Sequence, residues 1–335
     1  MGCNEIVAKI SSNGVDSAVN MRLIATFFVV TCCVAVLDIS SVQAQSCDQQ
    51  CDSSLGDSWL GDSQSGHLRT RGCSDRGTVG SLFCWSGNSC RDELIQPNEP
   101  LITDRPDFTE ASSVVGLGIL QIETGYTYFY DDDGTTQTIS HSYPEALLRY
   151  GVLANWLEFR LAANYGNSDV NGLSSDGTDD LYLGLKIGLT PQEGLLPEMA
   201  LIPQMTVPTG GSATTNGEVL AGLNWLYGWD INDFLATGGS TQFNRSLDEA
   251  TGMGFTQWAQ SWTIAYSLAD RLGAYTEYYG FYPSGADTAS PEHYFNGGFT
   301  FLVSNDVQWD IRGGTGLNDE ADDYFVGTGL SLRFR

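Results

Sequence analysis

The sequence predicts an all-β fold: an antiparallel transmembrane β-barrel of about twelve strands in a Gram-negative outer membrane, behind a short Cys-rich disordered extension. Three observations predict it. The C-terminal stretch alternates, with Tyr324, Val326, Thr328, Leu330, Leu332 and Phe334 in one row and Phe325, Gly327, Gly329, Ser331 and Arg333 in the other. Successive side chains of a strand point to opposite faces, so one face is greasy and the other small and polar. The same alternation returns throughout residues 117–334, between connections that are alternately short and long. An export leader precedes all of it.

Met21-Arg22, the apolar run 23–37 and Val42-Gln43-Ala44 before Gln45 form a basic start, a core and a small-residue cleavage site. Residues 1–44 are therefore expected to be a signal peptide, with Met21 as an alternative start. The run is short for a membrane anchor, and no later segment is apolar enough for a membrane helix. Cys47, Cys51, Cys73, Cys84 and Cys90 crowd into 45–100, and no cysteine follows. An odd set in an exported chain suggests two disulfides and one free thiol, the pairing left open. A metal is a weaker reading, since CxxC pairs are missing and His67 is the one imidazole nearby. Ser, Gly and Asp dominate this segment, so it has too little apolar surface to fold alone and reads as a periplasmic extension.

A net charge of −26 excludes nucleic acid, whose phosphates need clustered Lys and Arg. Repulsion on this scale destabilises a compact soluble core unless the acids sit on loops in water or bind cations.

Residues 101–335 hold the strands. The first, near 117–130, sets Leu120, Ile122, Tyr126 and Tyr128 against Gln121, Glu123, Gly125 and Thr127. The second (143–152) carries Glu145 and Arg149 in its polar row, and the third (156–165) Glu158, Arg160 and Asn164. The fourth (180–189) sets five aliphatics against Tyr182, Gly184 and Lys186. The fifth, 198–207, contains Pro203, which weakens it. The sixth (218–227) alternates around Trp225, the seventh (233–244) is poorly patterned, and the eighth (257–268) displays Trp258 and Trp262. The ninth (272–282) carries Glu277 among tyrosines, and the tenth spans 293–303. The eleventh, from Val307, puts Asp310 and Arg312 opposite Trp309 and Ile311. The C-terminal strand is the twelfth.

Short connections near 153–155, 191–197, 232–233, 269–271 and 304–306 predict periplasmic turns. Polar stretches 131–141, 166–179, 209–217, 245–254, 283–292 and 316–323 predict long outer loops. Tyr130, Tyr227, Trp229, Tyr282, Tyr294, Trp309 and Tyr324 near strand ends are expected to form interfacial girdles. A secreted soluble β-sandwich would alternate too, but with charges placed freely on its wet face. The expected partners are membrane lipid and lipopolysaccharide outside and a small solute within, with no nucleic acid.

Asp104-Arg105-Pro106-Asp107-Phe108-Thr109-Glu110 stands just before the first strand, Val207-Pro208-Thr209-Gly210 follows a middle one, and the chain closes on Gly-Leu-Ser-Leu-Arg-Phe. In these motifs, over residues 104–335, the chain resembles the outer-membrane transporters of the meta-pathway of phenol degradation family. The resemblance implies a barrel that passes small hydrophobic or aromatic compounds, and it brings no catalytic residue.

Glu123, Arg149, Glu158, Arg160, Lys186, Glu277 and Arg312 are the candidates to line a passage; the alternative is structural ion pairs that stiffen the barrel. Asp104, Arg105, Phe108 and Glu110 are candidates for a plug or latch at the periplasmic mouth, with Arg105 on a lumen carboxylate. The alternative is an ordered lead-in. The acidic runs 131–133 and 319–323 could bind Ca²⁺ but lack EF-hand spacing, and solvated loops fit better. For a hydrolase, His293 would have to meet Asp322 or Asp323, and a nucleophile motif is missing. A surface role fits His141 and His293 better. No cofactor, metal or catalytic residue is expected, and a channel is favoured over a hydrolase or a non-conducting barrel.

Overall fold

The computed structural model describes residues 99–248 and 250–335. The expected signal peptide, the five cysteines and His67 lie outside the described residues. β1 (Leu120–Asp132), β2 (Gln137–Gly151), β3 (Leu157–Val170), β4 (Leu173–Thr178), β5 (Leu181–Thr190), β6 (Glu198–Val207) and β7 (Leu220–Asp230) form the first half. β8 (Leu235–Leu247), β9 (Gly254–Ala269), β10 (Leu272–Ser284), β11 (Glu292–Ser304), β12 (Val307–Gly316) and β13 (Tyr324–Phe334) complete it.

Each strand pairs antiparallel with its neighbours, and β13 pairs with β1 from Leu120↔Phe334 to Tyr130↔Tyr324. The sheet is thereby closed on itself, and only the short β4, which pairs with β3 alone, keeps a second edge free of strand pairing. The thirteen strands make twelve staves, because β4 and β5 both pair with β3 and follow one another along it. The described residues contain no helix long and apolar enough to cross a membrane.

Burial is inverted relative to a water-soluble protein. Arg160 and Lys186 are 0% exposed, whereas Phe299 is 52% and Phe334 50% exposed. Large apolar side chains standing outward around a closed wall need hydrocarbon as their solvent. Pro203 falls where the β5–β6 ladder is interrupted, between Gly184↔Gln204 and Ile187↔Leu201, so no partner there needs its missing N–H. Trp225, Tyr227, Trp229 and Trp262 form one aromatic patch towards the short-turn end. Tyr128, Tyr130 and Tyr324 form another towards the outer end.

Several expectations need correction. The stretch 131–141 is no long loop: β1 and β2 run on, leaving only 133–136 between them. Residues 166–179 form a hairpin in which the end of β3 pairs with β4. Above the bilayer both faces of a strand meet water, so no greasy row marks it. Tyr294 belongs to no girdle; it faces inward, 4% exposed, opposite Tyr279. Its register follows that of Glu277 with Asn296, which turns every second residue of β11 into the lumen.

Candidate functional site

The interior is organised by the segment that precedes β1. Residues 101–116 enter at the short-turn end, where Leu101 donates its N–H to the Asn305 carbonyl at 2.8 Å. Arg333 holds the approach, donating to the Glu99 carbonyl at 2.6 Å and pairing with Asp306 at 2.8 Å. The segment then crosses the lumen and returns to β1. No secondary structure satisfies its backbone, so inward-facing side chains of the wall do so.

On one side lies a charged cluster. The Asp104 carboxylate meets Arg160 Nη1 at 2.6 Å, Lys186 Nζ at 3.0 Å and Arg149 Nε at 3.3 Å. Its N–H donates to both oxygens of Glu123 at 3.1 Å. Glu158 pairs with Arg149 at 2.8 Å and Arg160 at 3.0 Å and accepts the Val115 N–H at 3.0 Å. Glu110 pairs with Arg160 at 2.6 Å and accepts from Asn224 at 3.0 Å. Lys186 also donates to the Ala111 carbonyl at 2.8 Å. The wall contributes three cations and two carboxylates here, a surplus of one positive charge, and the segment adds Asp104 and Glu110. Charges this deeply buried are tolerable only when paired from all sides. The wall therefore selects an acidic segment.

Across the lumen Glu277 accepts the N–H groups of Phe108 and Thr109, each at 2.7 Å, the Thr109 hydroxyl at 2.6 Å and Asn296 Nδ2 at 2.8 Å. Arg105 pairs with Glu145 at 2.6 Å and Asp310 at 3.4 Å, and donates to the Thr328 carbonyl at 3.3 Å. A Cβ at Gly125 or Gly329 would collide with this guanidinium, so the glycines of the inward rows of β1 and β13 are the room it occupies. Arg312 donates to the Pro106 carbonyl at 3.0 Å and to Thr127 at 2.8 Å.

Above this level the wall becomes aromatic. Phe108 stacks on Tyr279 at 4.6 Å between centroids and meets Phe281 edge-on at 5.4 Å. Tyr279 stacks on Tyr294 at 4.8 Å, and Phe325 and Phe129 continue the cluster.

At the depth of the segment each stave presents a buried inward side chain: Glu123, Arg149, Arg160, Lys186, Ile202, Asn224, Ser240, Ser261, Glu277, Asn296, Asp310 and Ser331. Each of these twelve side chains is at most 3% exposed.

The structure turns all seven passage-lining candidates inward and puts each in contact with residues 101–116 or with a partner beside them. Glu123, Arg149, Glu158, Arg160 and Lys186 come together; Glu277 and Arg312 stand across the lumen from them. Of the latch candidates, Asp104 and Glu110 enter the charged cluster, Arg105 takes two wall carboxylates, and Phe108 joins the aromatic stack. The lumen carboxylates that Arg105 takes are Glu145 and Asp310, which stand in the polar rows of β2 and β12 but carry no local mark of that pairing. The apolar inward patch of Ala200, Ile202 and Leu226 is not legible in the sequence, because β6 reads apolar on both faces. His293 meets Tyr278 Oη at 2.8 Å, and His141 meets Tyr126 Oη at the same distance. Both histidines therefore serve lipid-facing tyrosines. In the acidic run 131–133, Asp133 accepts the Thr135 hydroxyl at 2.6 Å and the N–H groups of Thr135 and Thr136 at 2.7 Å, which together hold its carboxyl below the usual range. Among the described residues no group of three or more His, Cys, Asp or Glu is arranged to hold a metal.

A family model described as "Putative MetA-pathway of phenol degradation" matches residues 103–334. Among solved structures, an outer membrane channel from Pseudomonas putida F1 superposes with a TM-score of 0.52 at 15% identity, over 69% of this chain and 99% of its own. The translocator domain of the autotransporter NalP from Neisseria meningitidis gives 0.44 at 13% identity, over 65% and 89%. No curated protein matches the sequence. At such identities the likeness is one of fold, and the fold is that of a porin-like outer-membrane barrel surrounded by lipid.

Proposed function

The chain belongs to the MetA-pathway of phenol degradation family, and from that premise we propose that its barrel is an outer-membrane channel for small aromatic solutes, closed at rest by residues 101–116. One observation carries the reading. The lumen is filled by a separate strip of chain, continuous with the barrel wall at Leu120 and held by polar bonds, rather than by wall side chains packed on one another. Wall side chains alone fill a lumen of about eight strands; twelve staves enclose a wider one, and here a strip that could withdraw closes it. Glu123, Arg149, Glu158, Arg160, Lys186, Glu277 and Arg312 line the passage when the strip withdraws. Asp104, Arg105, Phe108 and Glu110 are its fastenings. The family's association with phenol degradation supports aromatic compounds as cargo, and lipopolysaccharide is the natural contact of the outer tyrosine belt.

Deleting residues 101–113 should raise single-channel conductance in planar bilayers, and unchanged conductance would remove the plug. Liposome swelling with phenol, sugars and amino acids tests the cargo. Swelling with phenol is expected, and an absence of swelling with every solute would leave a non-conducting barrel.

A further inference from the structure

We infer that the place occupied by Phe108 is itself a binding site for a hydroxylated single-ring aromatic, and that such a solute opens the barrel by taking that place. The inference rests on the channel reading above and names where the cargo binds and what it moves.

Phe108 is the one ring of the aromatic stack that belongs to the inner segment; its neighbours Tyr279, Phe281, Tyr294 and Phe325 belong to the wall. Its face-to-face partner Tyr279 and its edge-on partner Phe281 make the two contacts that any six-membered aromatic ring could reproduce. Phe108 is half-buried, so the slot is not sealed from the lumen above. The bonds that hold the segment beside this ring run from backbone N–H groups to Glu277 and do not depend on the side chain.

From the stack towards the short-turn end, the inner wall also carries polar atoms that are not paired. Tyr275 Oη, Asn296 Oδ1 and Arg312 Nε are buried without a hydrogen-bond partner among the described residues. Tyr275 and Arg312 both flank Gly298, and Asn296, opposite Glu277, stands two residues from Gly298 along β11; Arg312 also lies over the Phe325 ring at 5.6 Å. Buried polar atoms of this kind are costly unless something binds them. A phenolic hydroxyl both donates and accepts, which suits an amide oxygen and a guanidinium N–H alike. An aromatic slot with donors and acceptors at its margin discriminates a phenol from a hydrocarbon ring, which lacks the hydroxyl, and from a cyclic alcohol, which lacks the π-face.

Coupling to opening follows from exclusion. A ring and Phe108 cannot occupy one slot, so the solute binds only the state in which the tip of the segment has left the wall. It shifts the population towards that state by its differential affinity.

The test uses the full chain in planar bilayers, with phenol and cyclohexanol as probes and heat-modifiable mobility as the check on folding. Wild type should open with phenol at concentrations about tenfold lower than with cyclohexanol, the factor expected for an aromatic pair of this kind. Phe108→Leu removes the competitor, so basal opening should rise and the phenol half-effect concentration fall about tenfold. Tyr279→Leu removes the platform, so basal opening should rise while the phenol half-effect concentration also rises. These opposite shifts are the signature, because a purely structural role would move both variants the same way. Should Tyr279→Leu fail to insert, Tyr275→Phe keeps the ring and should erase much of the preference for phenol over benzene. Parallel or absent shifts in the variants, with phenol still entering wild-type liposomes, overturn this inference and leave the channel intact. Failure of phenol to enter liposomes or to change conductance overturns both.

Discussion

The two sides of the lumen grip one segment by different chemistry. Towards β2, β3 and β5 the grip is ionic: Asp104 and Glu110 complete a set of buried charges with Arg149, Arg160 and Lys186. Towards β10–β13 it is mainly a ring stack plus backbone donors on Glu277, with Asp310 sharing Arg105 and Arg312 reaching the Pro106 carbonyl. A neutral solute cannot replace a carboxylate among three cations, but it can replace a phenyl ring. The charged side therefore sets where the segment sits, and the aromatic side sets how readily its tip can be exchanged.

The largest effect is expected at Asp104. Asp104→Ala removes a partner from three buried cations at once, and breaking a set of this kind costs about 3–5 kcal/mol. Protease cleavage within 101–116, measured on the folded full-length barrel, should become rapid, and basal conductance should rise well beyond that of Phe108→Leu. If Phe108→Leu frees the segment more than Asp104→Ala, the division between an anchor side and an exchange side is wrong.

Glu277→Gln comes next, because Glu277 serves both the backbone of the tip and Asn296. It exchanges an acceptor-only carboxylate for an amide whose own N–H groups face donors, at a cost of about 2–3 kcal/mol. Cleavage should begin near Phe108 and Thr109 while the Asp104 end stays protected. Uniform cleavage along 101–116 would mean that the two grips act as one unit.

Gly329→Ala should act more gently on the same system. The new methyl group meets the Arg105 guanidinium, which must then lengthen its bonds to Glu145, Asp310 and the Thr328 carbonyl. Overpacking against a displaceable side chain costs about 1–2 kcal/mol. Arg105→Lys should suppress the defect, because a slimmer ammonium clears the methyl group; a double variant no better than Gly329→Ala would assign the cost to the backbone instead.

The staves were legible because lipid on one face and polar fill on the other impose a period of two, which survives in β5 without exception and in β1 and β13 apart from Thr124 and Thr328 outside and Phe129 and Phe325 inside. The inward charges were legible for the same reason: Arg160 and Lys186 stand in polar rows, and a charge in a membrane stave must face in. Their partners were not. Nothing local in Asp104 or Arg105 says which of several inward carboxylates or cations will meet them, since that depends on closure between β1 and β13 and on the level at which the segment crosses. Glu145 shows the difficulty, because a bulge between β2 and its neighbours sets where it lies. The β3–β4 hairpin was hidden because strands standing in water on both faces carry no greasy row.

The smallest expected effect lies outside the membrane, at Asp248. Its carboxylate joins two outer loops, accepting Thr288 N–H at 2.7 Å, Asp287 N–H at 3.1 Å and Thr251 N–H at 3.1 Å. Those donors, Thr288 foremost, hold the carboxyl well below its ordinary 3.8. A depressed folded-state value means that the clamp stabilises the loops at and above the ordinary carboxylate range and is lost as pH falls through the lower value. Hydrogen-exchange protection of the Thr288 amide should thus stay level from neutral pH to about 4 and fall only in stronger acid. Asp248→Asn should lower that protection at every pH and leave cleavage of 101–116 unchanged, because the clamp touches neither side of the lumen. A loss of protection already near pH 6 would assign the loops to another titrating group, and faster cleavage of the inner segment in Asp248→Asn would show that the outer loops, as well as the two lumen walls, hold the plug in place.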